Sequence, residues 1–343
     1  MSYTNGLDDP TAYFQTKTYT GNGSTQDITF DGNSNLQPDF LWLKGRSLAE
    51  GHTLQNSVSG VTKHLHSQNT DAEVTDTGIV TAFNSNGFSL ADEGDVNGSG
   101  STFVGWSWKA SGSTASNSNG SITSSVSANT TAGFSIVSYT GTGSNATVGH
   151  GLTSAPELII TKSRSTTGDW KVHTSAIDGS WDVGTLNSTA AFGNSSYTAS
   201  TSSIFYVGSG APTNASGVTY VSYLLHSVKA YSKCGSFVGN GSNDGVFCFL
   251  GFKPAMVIYK KSSGSENWFI HDNKRQGFNP DNELLFPDLS NAEGTVNRID
   301  LLSNGFKART SDGGINGSGA KYIFMAFAES PLVTSTGIPC TAR

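Results

Sequence analysis

The stretch Gly21-Asn22-Gly23-Ser24 returns as Gly141-Thr142-Gly143-Ser144 and again as Gly239-Asn240-Gly241-Ser242. An aromatic residue stands two places before each first glycine: Tyr19, Tyr139 and Phe237. A proline then leads an apolar run that closes on lysine, from Pro38 to Lys44, Pro156 to Lys162 and Pro254 to Lys260. Later in every copy an Asn-x-Ser-Gly turn, at Asn97, Asn214 and Asn316, passes directly into an aromatic-rich segment. Four landmarks in one fixed order argue that a single unit is used three times. Equivalent landmarks lie about 98 to 120 residues apart, far beyond the ~20 to 50 residues of a solenoid repeat, so the copies read as tandem domains.

Composition narrows the class. Apolar residues make up 35% and charged residues 13% of the 343, and glycine alone accounts for 41. Short strands joined by many tight turns have this profile, because Gly, Asn and Ser supply left-handed and side-chain-bonded turn conformations. The expected fold is all-β: three tandem β-sandwich domains of jelly-roll or lectin-like packing. The expected boundaries are an N-terminal arm at 1–12, copies at 13–110, 121–229 and 230–329, a Ser/Gly/Asn linker at 111–120, and a C-terminal tail at 330–343. The arm is expected to be extended and to lie on a neighbouring chain.

Residue periodicity supports this. Phe14 to Thr20 alternates, turns at Gly21 to Ser24 and returns through Asp27-Ile-Thr-Phe30 as a hairpin. Phe40 to Leu43 is apolar on both faces, as a strand covered by a second sheet must be. A period of two places Val104, Trp106 and Trp108 on one face, matched by Val221, Tyr223 and Leu225, then by Ile323, Met325 and Phe327; that face is expected to be core in every copy. Between Ser111 and Asn119 almost nothing can be buried, which is why the segment reads as a linker.

Charge and hydropathy exclude several roles. A net charge of −6 without a Lys/Arg run argues against nucleic acid, which is bound by clustered positive charge. No apolar stretch approaches the ~18 to 20 residues of a membrane span and no apolar leader follows Met1, so synthesis in a cytoplasm without membrane insertion is expected. In that reducing setting Cys234, Cys248 and Cys340 read as packed free thiols in preference to a Cys234–Cys248 bridge.

Candidate chemistry is sparse. Paired carboxylates could hydrolyse glycosides, but the acids cluster in loops (Asp71, Glu73 and Asp76; Asp92, Glu93 and Asp95) and not in a strand-borne pair. Asp92, Asp95 and Asn97 have calcium-loop character, yet the second copy carries no carboxylate at the matching place. His64 and His66 lack a third metal ligand nearby in sequence. Trp170 and His173 recur as Trp268 and His271 without a nucleophile at matching spacing, and so read as packing residues. No catalytic residue, metal or cofactor is expected. A glycan site would need a ring to stack on the sugar beside amides and hydroxyls, and Trp181, in the loop-like Asp178-Gly-Ser-Trp-Asp182, is the candidate.

A resemblance follows from particular residues: Gly6-Leu-Asp-Asp-Pro-Thr-Ala-Tyr-Phe14, the three hairpins, Ala132-Gly-Phe-Ser-Ile-Val-Ser-Tyr-Thr140, Asp272-Asn-Lys-Arg275, and Tyr322 through Pro331. Together they resemble a family of virion structural proteins of tailed bacteriophages, common in aquatic phages and described as tail-fibre or lectin-like. The resemblance implies a non-enzymatic structural or adhesive role on the particle, as a tail fibre or receptor-binding component. The alternatives are a capsid decoration or head-fibre protein and, further off, a glycan hydrolase. It implies other virion proteins and a host-surface glycan as partners. A homo-oligomer, with a trimer favoured, is expected because such appendages commonly associate by threes.

Overall fold

The computed structural model describes residues 7–195, 198–275 and 279–340. Among these the chain is almost entirely antiparallel β-structure; the helical pieces are single turns at Pro10–Ala12, Gly94–Asn97 and Ala211–Asn214.

One strand order recurs in three larger sheets. In the first, Phe14–Thr20, Thr102–Trp108, Phe40–Gly45 and Thr53–Asn56 lie side by side. In the second the order is Phe134–Thr140, Thr219–Leu225, Leu158–Ser163, Lys171–Thr174. In the third it is Ser232–Val238, Lys321–Pro331, Phe252–Lys261, Trp268–Asp272. Each is backed by a smaller outer sheet that pairs Gln26–Thr29 with Gly87–Leu90, Ala146–Gly149 with Ile204–Val207, and Phe247–Phe249 with Gly305–Ala308.

The doubly apolar strands explain this layering. Leu41 and Leu43 enter an outer core of their own copy, with Phe88 and Val96, while Phe40 and Trp42 point the other way. All nine residues of the alternating aromatic segments, from Val104 to Phe327, lie in a central core with Phe40, Trp42, Phe134, Ile160, Met256 and Ile258. The three larger sheets therefore meet face to face around one shared core, with a separate outer core behind each. Tyr231, fully buried at the junction of the second and third copies, belongs to this centre as well.

Contacts between copies run in a ring. Trp170 Nε1 donates to His66 O at 2.8 Å, Trp268 Nε1 donates to Thr185 O at 3.0 Å, and His52 Nε2 donates to Phe286 O at 2.8 Å. The second copy thus holds the first, the third holds the second, and the first holds the third. His52 carries its proton on Nε2, because Trp42 Nε1 can only donate and does so to His52 Nδ1 at 2.8 Å. Backbone bonds follow the same ring: Glu73 N to Arg164 O, Phe192 N to Ser262 O and Glu293 N to Arg46 O. The lysines that close the proline-led runs are buried at Lys44, Lys162 and Lys260. Their ammonium groups donate to carbonyls, and those of Lys162 and Lys260 reach Thr70 O and Thr189 O in the preceding copy.

The first and third copies also share a buried charge network. Arg275 Nε donates to Asp272 Oδ2 at 2.6 Å, with both side chains fully buried, and Trp106 Nε1 donates to the same oxygen at 3.0 Å. Glu293 joins Arg275 at 3.1 Å to Arg46 at 2.8 Å, and Arg46 reaches Glu283 at 3.1 Å.

The segment 111–120 differs from the linker its composition suggests. Ala115–Asn117 is a strand that pairs with Ser124–Asn129 and extends the second copy's sheet to eight strands. Its order comes from hydrogen bonding at a sheet edge, which apolar content does not report. At the amino end, Met1 to Gly6 lie outside the described residues. Leu7 packs against the central core, and Asp9 caps the Pro10–Ala12 turn through Thr11 N. Residues 7–12 are therefore folded onto their own chain. The tail folds back between Val333 and Pro339, and Ser335 N donates to Asp8 Oδ1 at 2.7 Å.

Candidate functional site

Several of the carboxylates and histidines considered for chemistry are engaged in structural contacts. Glu73 pairs with Arg164 at 2.7 Å across two copies, Asp76 accepts from Gly78 N, and Glu93 caps the turn at Gly94. Asn97, considered for calcium, directs its carboxamide at the backbone of its own copy. The His64 and His66 rings touch edge to face at 5.0 Å, and His66 Nδ1 donates to His52 O. Among the described residues no three His, Cys, Asp or Glu side chains are grouped to hold a metal ion. The thiols of Cys234, Cys248 and Cys340 are all free. Trp170 and Trp268 are ring contacts between copies, as above, and His271 stacks on Tyr259.

Trp181 is not the exposed platform its loop-like sequence suggests. It is only 9% exposed and packs in the second outer core with Ile159, Phe205 and Tyr220. The cause is the strand Asp182–Thr185, which begins at the next residue and pairs with Lys171–Thr174. Trp181 O accepts from Ser195 N at 2.8 Å. The ring is thereby turned beneath the sheet instead of over it.

The neighbouring surface carries what Trp181 lacks. In Ile204–Val207, Phe205 and Val207 are buried in the outer core, so the period of two turns Tyr206 outward, half-buried and directly across from Thr147. Ser121 arrives beside them because Ile122 bridges Val148 and its N–H donates to Thr147 O at 3.0 Å. Ser121 N donates to Thr147 Oγ1, and Thr147 N donates to Ser121 Oγ, both at 2.9 Å. Gly120 is required here: a Cβ would stand 2.4 Å from Thr147 O. The result is a solvent-open concavity of about 530 Å³, lined by Ser121, Asn145, Thr147, Thr198, Tyr206 and Val207 among others. A narrow crevice bounded by Thr198, Tyr206 and Val207 runs from it to Trp181.

No charged side chain lines this concavity among the described residues. The equivalent positions in the other copies are occupied differently. Ser89 replaces Tyr206 in the first copy and donates to Asp27 Oδ1, while Lys307 replaces it in the third and pairs with Asp244. Sequence reasoning passed over Tyr206, although its signal was available: an unmatched aromatic at the outward position of an alternating four-residue strand.

No curated protein matches the chain. One family model matches residues 9–331, through all three copies and the core they share, and the chain belongs to the family it describes, Domain of unknown function (DUF7483).

Proposed function

We propose that this chain is a non-enzymatic structural protein of a bacteriophage particle, a tail fibre or receptor-binding component that contacts the host surface. The observation that carries the adhesive part is the Tyr206 concavity: an open, uncharged, polar and aromatic recess on a body locked together by the ring of contacts between copies. Engagement of Glu73, Glu93 and Glu293 in pairs and caps supports a structural over a hydrolytic role for these acids. The phage assignment rests on the sequence resemblance. Its landmark residues account for the hairpins and for the Asp272–Arg275 network, so they are residues a shared architecture would retain.

The cyclic arrangement of three copies in one chain suits attachment at a three-fold position of a particle alongside other virion proteins. Light scattering at micromolar concentration decides whether the chain itself also assembles by threes. Its place on the particle is tested by electron microscopy of virions carrying a gold-labelled tag after Arg343. Label at the tail tip is the expected result; label over the head favours a capsid decoration or head-fibre protein. Release of reducing sugar from host envelope polysaccharide would turn the reading to a glycan hydrolase.

A further inference from the structure

We infer that the Tyr206 concavity binds a neutral pyranose, the apolar face of the sugar lying on the Tyr206 ring and its hydroxyls meeting Asn145, Thr198 and the Ser121–Thr147 pair. This rests on the adhesive reading above and names the ligand class of that site.

Three observations converge. The first is supply of binding groups. The Asn145 carboxamide and the Tyr206 hydroxyl make no hydrogen bond with the described residues, although both line the recess. A carboxamide offers two donors and an acceptor, and a phenol offers one of each, which matches the mixed donor and acceptor character of sugar hydroxyls. The second is shape and rigidity. Tyr206 and Thr147 sit opposite each other on paired strands, and Ser121 is fixed to Thr147 by two reciprocal hydrogen bonds of 2.9 Å. A recess on strands that are already ordered loses little entropy when it binds. Its volume of about 530 Å³ falls within the range of small-molecule sites.

The third observation is charge. An acidic sugar would call for Arg or Lys to pair with its carboxylate or sulfate. No such side chain lines this recess among the described residues, whereas the third copy places Lys307 at the position of Tyr206. One copy in three thus combines an aromatic ring, uncharged polar neighbours and an open recess. The segment that composition marks as a linker brings Ser121 to it.

The test uses the full chain and ligand-observed NMR with glucose, galactose, mannose and N-acetylglucosamine, beside sialic acid and glucuronic acid. At least one neutral sugar is expected to bind, with a Kd on the order of millimolar for so few contacts. Tyr206→Ser installs the first copy's residue at an outward position and is expected to weaken binding at least tenfold with the melting temperature unchanged. Tyr206→Phe, which keeps the ring, is expected to retain most of the affinity, and Asn145→Ala to lose part of it. Absence of binding by all four neutral sugars, tighter binding of an acidic one, or equal binding by folded Tyr206→Ser overturns the inference. The adhesive reading is scored separately. If wild-type and Tyr206→Ser protein block phage adsorption equally and Tyr206→Ser also keeps its sugar binding, adhesion stands and this site falls; if neither blocks adsorption although sugar binds at Tyr206, the site stands and the adhesive reading falls.

Discussion

The carboxamide of Asn97 holds Asn22, 75 residues earlier in the chain: Asn22 N donates to Asn97 Oδ1 at 3.0 Å. Asn97 Nδ2 donates to Ser24 O and to Ala91 O, each at 2.6 Å. Asn214 repeats the arrangement with Thr142 N, Ser144 O and Gly208 O, and Asn316 with Asn240 N, Ser242 O and Thr310 O. All three asparagines are fully buried. Replacing Asn97 with alanine leaves the buried Ala91 O unpaired at about 1 to 3 kcal/mol and removes the two part-buried bonds to Asn22 N and Ser24 O at about 0.5 to 1.5 kcal/mol each, so a total loss of ~2 to 6 kcal/mol is expected from chemical denaturation. Asn97→Asp should be at least as harmful, since it sets a carboxylate oxygen against two carbonyls. Wild-type stability in either variant would show that the clamp does not stabilise the fold.

The first glycine of each hairpin touches the same turn. A Cβ on Gly21, Gly141 or Gly239 would stand 2.3 Å from Gly98 O, Ala215 O or Gly317 O respectively. Backbone must then move, and Gly141→Ala is expected to destabilise by roughly 3 kcal/mol or more. Gly193 is the internal control, because an added Cβ there meets nothing within 4 Å. Gly193→Ala should stay within about 0.5 kcal/mol of wild type.

The shared core sets the cooperativity of unfolding. Tandem domains would melt separately, but here Trp106, Tyr223 and Met325 from three copies occupy one cluster, and the ring of tryptophan, histidine and lysine contacts closes it. Scanning calorimetry should show one transition with calorimetric and van't Hoff enthalpies in agreement. Three resolved transitions would mean that the copies fold independently.

These two levels of structure differ in how far the sequence reveals them. The hairpin glycines, the Pro-led strands and the alternation from Val104 to Trp108 are local devices with local signatures, and their repetition made the unit visible. Even the aromatic before each glycine has a single use, since Tyr19, Tyr139 and Phe237 stack on Phe103, Tyr220 and Tyr322 at 5.0 to 5.3 Å. The closure of three copies into one body depends on side chains that reach carbonyls in another copy, such as Trp170 to His66 and Lys162 to Thr70, and no periodicity encodes the partner. Trp181 and Tyr206 differ for a related reason: loop-like composition suggests exposure at Trp181, which packs beneath the sheet, whereas strand alternation turns Tyr206 outward.

Acid should unfold the protein earlier than its carboxylate pairs alone require. Burial pulls His52 down to about 3 and His64 and His173 down to about 4. The unfolded value is near 6.5, so these groups support the fold fully above about pH 6.5 and lose that support as pH falls toward 4, and toward 3 for His52. Each contributes a loss of up to about 1.4 kcal/mol per pH unit in that window. Asp288, pushed up to about 6 by burial, acts in the opposite direction between about pH 6 and 4, as do Asp95, Asp182 and Glu283, whose carboxyls burial also raises. Burial lowers His150 and adds it to the histidine side, and the large downward shifts of the three histidines are expected to prevail. Melting temperature is expected to fall steeply between pH 6.5 and 4, and a flat profile there would contradict the neutral, buried state of these histidines.

Three equivalent edge strands, Gln26–Thr29, Ala146–Gly149 and Phe247–Phe249, carry middle apolar residues Ile28, Val148 and Cys248 that pair with Phe88, Phe205 and Phe306. An exposed apolar edge invites pairing with another chain, and natural sheets guard against it with charge or a cover. The first edge is guarded by Asp27, bonded to Ser89, and by Thr29. The second is covered by Ile122, which bridges Val148. The third presents Phe247 at 42% and Phe249 at 55% exposure, with Lys233 Nζ on the Phe249 carbonyl at 2.7 Å and 5.8 Å from the centre of its ring. Transplanting the first copy's guard as Phe247→Asp with Phe249→Thr should therefore reduce apolar-dye binding and concentration-dependent light scattering. Because both rings are surface groups, stability should change by no more than about 1 kcal/mol. A loss of several kcal/mol would show that the two rings act as core, and unchanged scattering would show that the Lys233 contact alone already guards the edge.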